Sequence, residues 1–198
     1  MGVNRSRSHS RHESPRPNLT VVRGGAGDPA DAASSPGERP DPTQSLGRIL
    51  LRELADEVLF LFHRRVPGRF GDLPIVAVAS TGVHLIEPRS YPGRRVRASR
   101  DGSAFVIDGV CHRAIAEAMA EHGEALQAAV ATGPLPTAEV HAEYCFVDTD
   151  LPWRRLEVGG LRAVTPAQLV RRLRERGPLD EREVEALHRD LSRRLARM

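Results

Sequence analysis

LPIVAVASTGVHLIEPRSYPG, residues 73–93, is the stretch that decides the fold. Two β-prone runs, Ile75–Ala79 and Val83–Glu87, flank Ser80-Thr81-Gly82, a turn signal in which glycine supplies a positive φ. An antiparallel pair follows from that spacing. The second run ends in an acid-x-base triplet, Glu87-Pro88-Arg89. Side chains two apart on a strand leave the same face, so Glu87 and Arg89 emerge side by side. A carboxylate and a guanidinium so placed suit a divalent metal and a phosphate oxygen. They equally suit a strand-end salt bridge exposed to water.

Outward from this hairpin the chain alternates helices and strands. Ser45 reads as an N-cap for a helix to about Asp56, with Leu46, Ile49, Leu50, Leu54 and Val58 as its apolar stripe. Val58–Phe62 reads as a buried strand running into a turn at Arg64–Gly68. After the hairpin, Arg94, Arg95, Arg97 and Arg100 lead into Asp101-Gly102, a tight-turn signal, and the strand Ala104–Ile107. A long helix over about His112–Ala131 ends at Gly133-Pro134, and His122 completes its core-side stripe. Ala142–Val147 is a strand ending in Asp148-Thr149-Asp150, acids that suit either a metal or a strand-to-loop cap. One more strand spans Leu156–Val164. Thr165-Pro166 then opens a helix that Gly177 closes, and Asp180 with Glu183 caps a final helix, Glu181–Ala196. The order predicts an α/β fold with a mixed central sheet flanked by helices.

Composition narrows the function classes. All 29 basic residues are arginine, against 26 acids, so the chain is mildly basic rather than polycationic. Residues 1–44, rich in Ser, Arg, Pro and Gly, are expected to form a disordered tail; residues 45–198 form the folded domain. The two cysteines have no metal-ligand spacing, which fits a reducing, cytoplasmic setting, and no apolar run is long enough to span a membrane. Five arginines within twelve residues (Arg89, Arg94, Arg95, Arg97, Arg100) adjoin the acid-x-base triplet and are candidate phosphate contacts to DNA or RNA. A solvated hairpin arm is the other reading of that cluster, since aromatic residues for base stacking are few.

Four strings taken in order, FHRRVPG (62–68), VAVASTGVHLIEPRSYPG (76–93), YCFVDTDLPW (144–153) and VGGLRAVTPAQLVRRL (158–173), resemble the nuclease-related domain (NERD) family of the PD-(D/E)XK nuclease-like superfamily. The resemblance implies a restriction-endonuclease-like core and Mg²⁺- or Mn²⁺-dependent phosphodiester chemistry. It places the acid-Ala-Lys triplet of the family at Glu87-Pro88-Arg89, an expected aspartate at Pro74 with Asp72 two residues earlier, and a helix glutamine at His122. The implied catalytic set is Glu87, Arg89 and His122, with Glu87 and Asp72 toward the metal. Arginine stabilises phosphorane charge but loses no proton near neutral pH. The expectation is therefore a catalytically impaired, nucleic-acid-binding relative. An active but divergent metal-dependent nuclease and a protein-interaction module are the alternatives.

Overall fold

The computed structural model describes residues 41–68, 71–152 and 156–197. Residues 1–40 of the expected tail lie outside them, and Asp41–Gln44 prove to belong to the first helix. That helix, α1 (Pro42–Leu54), is capped by the Asp41 side chain on the Thr43 N–H at 3.0 Å, with Pro42 in its first turn. It begins earlier than the Ser45 cap expected, because Asp-Pro supplies a cap and a preset φ together.

A mixed seven-stranded sheet follows, in the order β10-β1-β2-β3-β7-β9-β8. Its strands are β1 (Leu59–Arg65), β2 (Leu73–Ala79), β3 (Gly82–Ser90), β7 (Val140–Val147), β8 (Leu156–Val158), β9 (Leu161–Val164) and β10 (Ala196–Arg197). β1, β2 and β3 are antiparallel neighbours, whereas β7 runs parallel to β3 and β9 parallel to β7. A small antiparallel sheet comprises β4 (Val96–Ala98), β5 (Phe105–Ile107) and β6 (Val110–His112). The remaining helices are α2 (Arg113–Ala131), α3 (Pro166–Leu173) and α4 (Glu181–Arg194).

Strand alternation divides the core in two. Ile75, Ala77, Ala79, Ile86, Cys145 and Val147 face α1 and α3, meeting Leu46, Leu50, Leu54, Leu169 and Leu173. Val76, Val78, Val83, Leu85, Tyr144 and Phe146 face the other way, onto Met119 and Leu126 of α2, Leu187 and Leu191 of α4, and Phe105 of the small sheet. Both faces being covered, β2 and β3 read as continuous apolar runs.

Several boundaries differ from expectation. Leu156–Val164 is two strands rather than one, folded back at Gly159-Gly160, where φ is +56° and +80°. Arg64 and Arg65 continue β1 instead of turning, and β10 pairs with them. β6 was hidden because Val110–His112 is short, half exposed and runs straight into α2. α3 stops at Leu173, short of Gly177, which therefore does not end it.

Candidate functional site

The sheet forks in its middle. Pairing between β2 and β3 ends at Ile75↔Ile86, yet β2 stays with β1 to Leu73↔Arg64 and β3 stays with β7 to Ser90↔Val147. Past the last shared pair each strand carries a proline, Pro74 one residue on in β2 and Pro88 two residues on in β3. Proline has no N–H to give a ladder, so a donor is lost at each of these two positions. The β1 side registers the same defect: the ladder skips His63, which takes φ +49° opposite Pro74.

Glu87 and Arg89 sit on β3 within this fork. They share a face, as the alternation required, and form an ion pair with Arg89 Nη2 3.4 Å from Glu87 Oε1. Their side chains are 19% and 29% exposed, so the pair is reachable from solvent and is not sealed in the core. In the parallel register Glu87 stands beside Tyr144 and Arg89 beside Phe146. Tyr144 is pinned from its far end, its hydroxyl donating to the Ile115 carbonyl at the start of α2. Burial pushes the Tyr144 hydroxyl pKa upward, with the Glu87 charge adding to the effect, so it stays a donor.

Asp72 precedes β2, and its charge acts on Glu87. Burial first holds the Glu87 carboxyl above its ordinary pKa; Arg89 pulls it down and Asp72 pushes it up. His122, half buried on α2, packs its imidazole onto Gly71, the residue before Asp72; Gly71 has φ +100° and no room for a side chain. The structure thus pairs Glu87 with Arg89 at the fork, places Asp72 just before β2 and brings His122 to the neighbouring backbone. Among the described residues no three His, Cys, Asp or Glu side chains form a group able to hold a metal.

The small sheet stands over the same face. Phe105 meets Tyr144 edge-on at 5.1 Å and Phe146 at 5.5 Å between ring centroids. Its arginines divide into two kinds. Arg94 lies 3.5 Å from Asp108 and Arg95 3.5 Å from Asp150, so carboxylates already face both. Arg97, exposed on β4, and Arg100, exposed in the following turn, have no ion pair among the described residues. Asp150 thereby anchors the strand-to-loop corner, its backbone also exchanging bonds with Arg94 and Val96.

A second polar cluster, on the opposite face, went unread in the sequence. Glu143 of β7 is 1% exposed and its carboxylate lies against Arg172 Nε of α3. His84 of β3, 0% exposed, places Nδ1 3.8 Å from the other Glu143 oxygen and Nε2 2.8 Å from the Thr81 hydroxyl. His141 packs against His84 with ring centroids 4.7 Å apart and planes tilted by 39°, and reaches the Thr81 carbonyl at 3.3 Å. A polar residue inside each apolar run, His84 in VHLIE and Glu143 in AEYCFV, was the available signal. Their partnership depends on β3–β7 pairing, which no local pattern announces.

Fold and site together define a mixed α/β protein with an acid–guanidinium pair at a fork in its sheet. No protein-family model matches the chain, and neither curated proteins nor solved structures give a significant match. No described helix is long and apolar enough to cross a membrane.

Proposed function

We propose that this chain is a nuclease-related (NERD-like) protein that binds DNA or RNA across the forked end of its sheet and is impaired in phosphodiester hydrolysis. The observation that carries the reading is the Glu87–Arg89 pair at the fork, with Arg97 and Arg100 exposed on the adjoining sheet and without an ion pair among the described residues. Guanidinium groups grip phosphate bidentately at any working pH. Hard carboxylate oxygens fit Mg²⁺ or Mn²⁺, and Glu87 with Asp72 would hold it. Such an ion supplies charge stabilisation to a bound phosphate. What the chain's own residues lack is a base at the triplet: Arg89 cannot accept a proton from water, and Pro74 stands where a second carboxylate would be needed.

The second reading, an active divergent nuclease, is favoured by one feature. The Asp72 charge acts on Glu87 from outside the strand, and His122 packs onto Gly71, the residue before Asp72.

Binding is tested by fluorescence anisotropy with labelled duplex and single-stranded oligonucleotides between 50 and 200 mM salt. Arg97→Gln/Arg100→Gln together are expected to lower the log–log salt slope by about 2 on duplex DNA, roughly one per lost phosphate contact. Arg94→Gln/Arg95→Gln should change it less, since acids already face those two. No binding at any salt would leave a protein-interaction module. For hydrolysis, plasmid nicking with Mg²⁺ and with Mn²⁺ is expected to show no turnover that depends on Glu87. Turnover abolished by Glu87→Ala would establish the second reading.

A further inference from the structure

β9 joins β7 only from Glu143↔Arg162 onward, so Val140–Ala142 have β3 on one side and no described strand on the other. A cavity of about 430 Å³ occupies that notch, between α2 and the β8–β9 turn, at the end of β7 away from the fork. Its volume lies in the range of small-molecule sites. The α2 wall is low, being made of Ala120 and Gly123. A Cβ built on Gly123 would meet nothing closer than the Ala142 Cβ at 3.4 Å, so packing would accept a larger residue where glycine leaves the cavity open.

The polar groups around this space are only half engaged. Arg162 faces Glu157 through Nε at 3.5 Å, and Arg172 touches Glu143 through Nε; neither guanidinium makes a hydrogen bond among the described residues. The terminal nitrogens of both are thus open to a two-oxygen anion, which guanidinium forks hold best. Glu124, exposed on α2, has no ion pair among the described residues. His141 bonds the Thr81 carbonyl through Nε2 at 3.3 Å; a carbonyl only accepts, so Nε2 carries the proton and Nδ1 is left as an acceptor.

Charge decides what fits. Two guanidiniums line the cavity against three carboxylates, Glu124, Glu143 and Glu157, and His141, which burial keeps hard to protonate, adds no charge near neutral pH. A plain anion would deepen that negative balance. A plain cation would leave both guanidinium forks unfilled. A molecule carrying both charges answers both.

We propose that the notch binds a small zwitterion of the α-amino-acid type. Its carboxylate lies on the terminal nitrogens of Arg162 and Arg172, its ammonium toward Glu124 and the His141 Nδ1, and its side chain against Ala120, Gly123 and Leu161. The nucleic-acid reading concerns the other end of β7, and neither depends on the other.

The test is calorimetry on the full chain with L-alanine, L-leucine and L-glutamine as probes. Each is paired with the same molecule lacking its ammonium and the same molecule lacking its carboxylate. At least one amino acid is expected to bind, at least about 10-fold more tightly than its carboxylate-free analogue, as loss of charge-assisted bonds to arginine requires. The ammonium-free analogue should bind about 3-fold more weakly or worse, a smaller effect because Glu124 is exposed. Arg162→Gln should weaken amino-acid binding by about 10-fold, Glu124→Gln by about 3-fold, and Gly123→Leu should abolish it by filling the notch. No binding by any of the three overturns the proposal, as does binding indifferent to Arg162→Gln or to Gly123→Leu. An ammonium-free acid that binds as tightly as its amino acid also overturns it, leaving a plain anion site. If Gly123→Leu fails to fold, the two charge variants decide alone.

Discussion

Arg172→Met is expected to destabilise the folded chain by about 3 kcal/mol at pH 7, the usual cost of removing one partner from a buried ion pair. The reason lies in Glu143, which is 1% exposed and meets Arg172 on α3 and His84 on β3. Burial alone would raise its carboxyl pKa. The nearby His84, with Arg172 and His141 behind it, reverses that and holds it below the ordinary carboxylate value. A carboxyl so depressed lends stability that is complete above its unfolded pKa and fades as pH falls through the folded one. Without Arg172, the carboxyl pKa rises. The variant then carries a penalty that grows as pH climbs through the ordinary carboxylate range. Arg172 also adds to the burial and the His84 charge that keep His141 hard to protonate, so its loss eases acidification a second time.

Both effects have one sign: the gap between variant and wild type should narrow as pH drops from 7 toward 4.5. Urea unfolding followed by circular dichroism measures it directly, and a loss of 3 kcal/mol corresponds to a fall in Tm of roughly 10 °C. Glu143→Gln/Arg172→Met should recover part of the loss, since no naked charge is left behind. A gap under about 1 kcal/mol, or one indifferent to pH, would show that the cluster is not a coupled unit.

This cluster marks where sequence reading ran out. Signals that act within a few residues were legible: the Ser80-Thr81-Gly82 turn, the Thr165-Pro166 helix start, the Asp180/Glu183 capping box, and the side-by-side exit of Glu87 and Arg89. Each depends on local backbone chemistry or on strand alternation. The mixed sheet was legible as a class, because apolar runs alternate with helical stripes. Less visible were features created by pairing at a distance. The fork needs both prolines to lie past the same pair, and Pro74 alone had suggested only a lost ligand. The division of arginines needed Asp108 and Asp150, remote from Arg94 and Arg95 in the chain, to arrive beside them. His84 and Glu143 each looked like an isolated polar residue in a strand until β7 docked parallel on β3.

Gly177 shows the same lesson and gives the second large effect expected. As a helix-ending glycine it should take a left-handed φ, yet it is absent from the positive-φ residues and α3 has already ended. Its hydrogen is needed for a different reason. A Cβ built there would fall inside the Ser80 carbonyl and against the Thr81 Cα, backbone atoms that cannot swing aside as a side chain would. The segment between α3 and α4 lies flat on the β2–β3 turn, with the Gly177 N–H donating to the Ser80 hydroxyl at 3.2 Å and the Leu179 N–H to the Ser80 carbonyl at 3.0 Å. The Ser80 hydroxyl in turn donates to the Glu175 carbonyl at 3.0 Å. Gly177→Ala must lift this segment off the turn, and a loss of about 3 kcal/mol or more is expected, at the upper end of overpacking costs. Gly102→Ala is the control: φ is +68° there but nothing lies within 4 Å of a built Cβ, so only backbone strain of about 1 kcal/mol applies. Denaturant unfolding should rank the two variants in that order, and amide exchange at Leu179 should accelerate in Gly177→Ala alone. Because Thr81 also receives both histidines of the buried cluster, lifting the segment should loosen His84 and His141 as well, bringing Gly177→Ala and Arg172→Met below additivity when combined. If Gly177→Ala proved no costlier than Gly102→Ala, the turn would have room to yield, and the close approach would not be what requires glycine at this position.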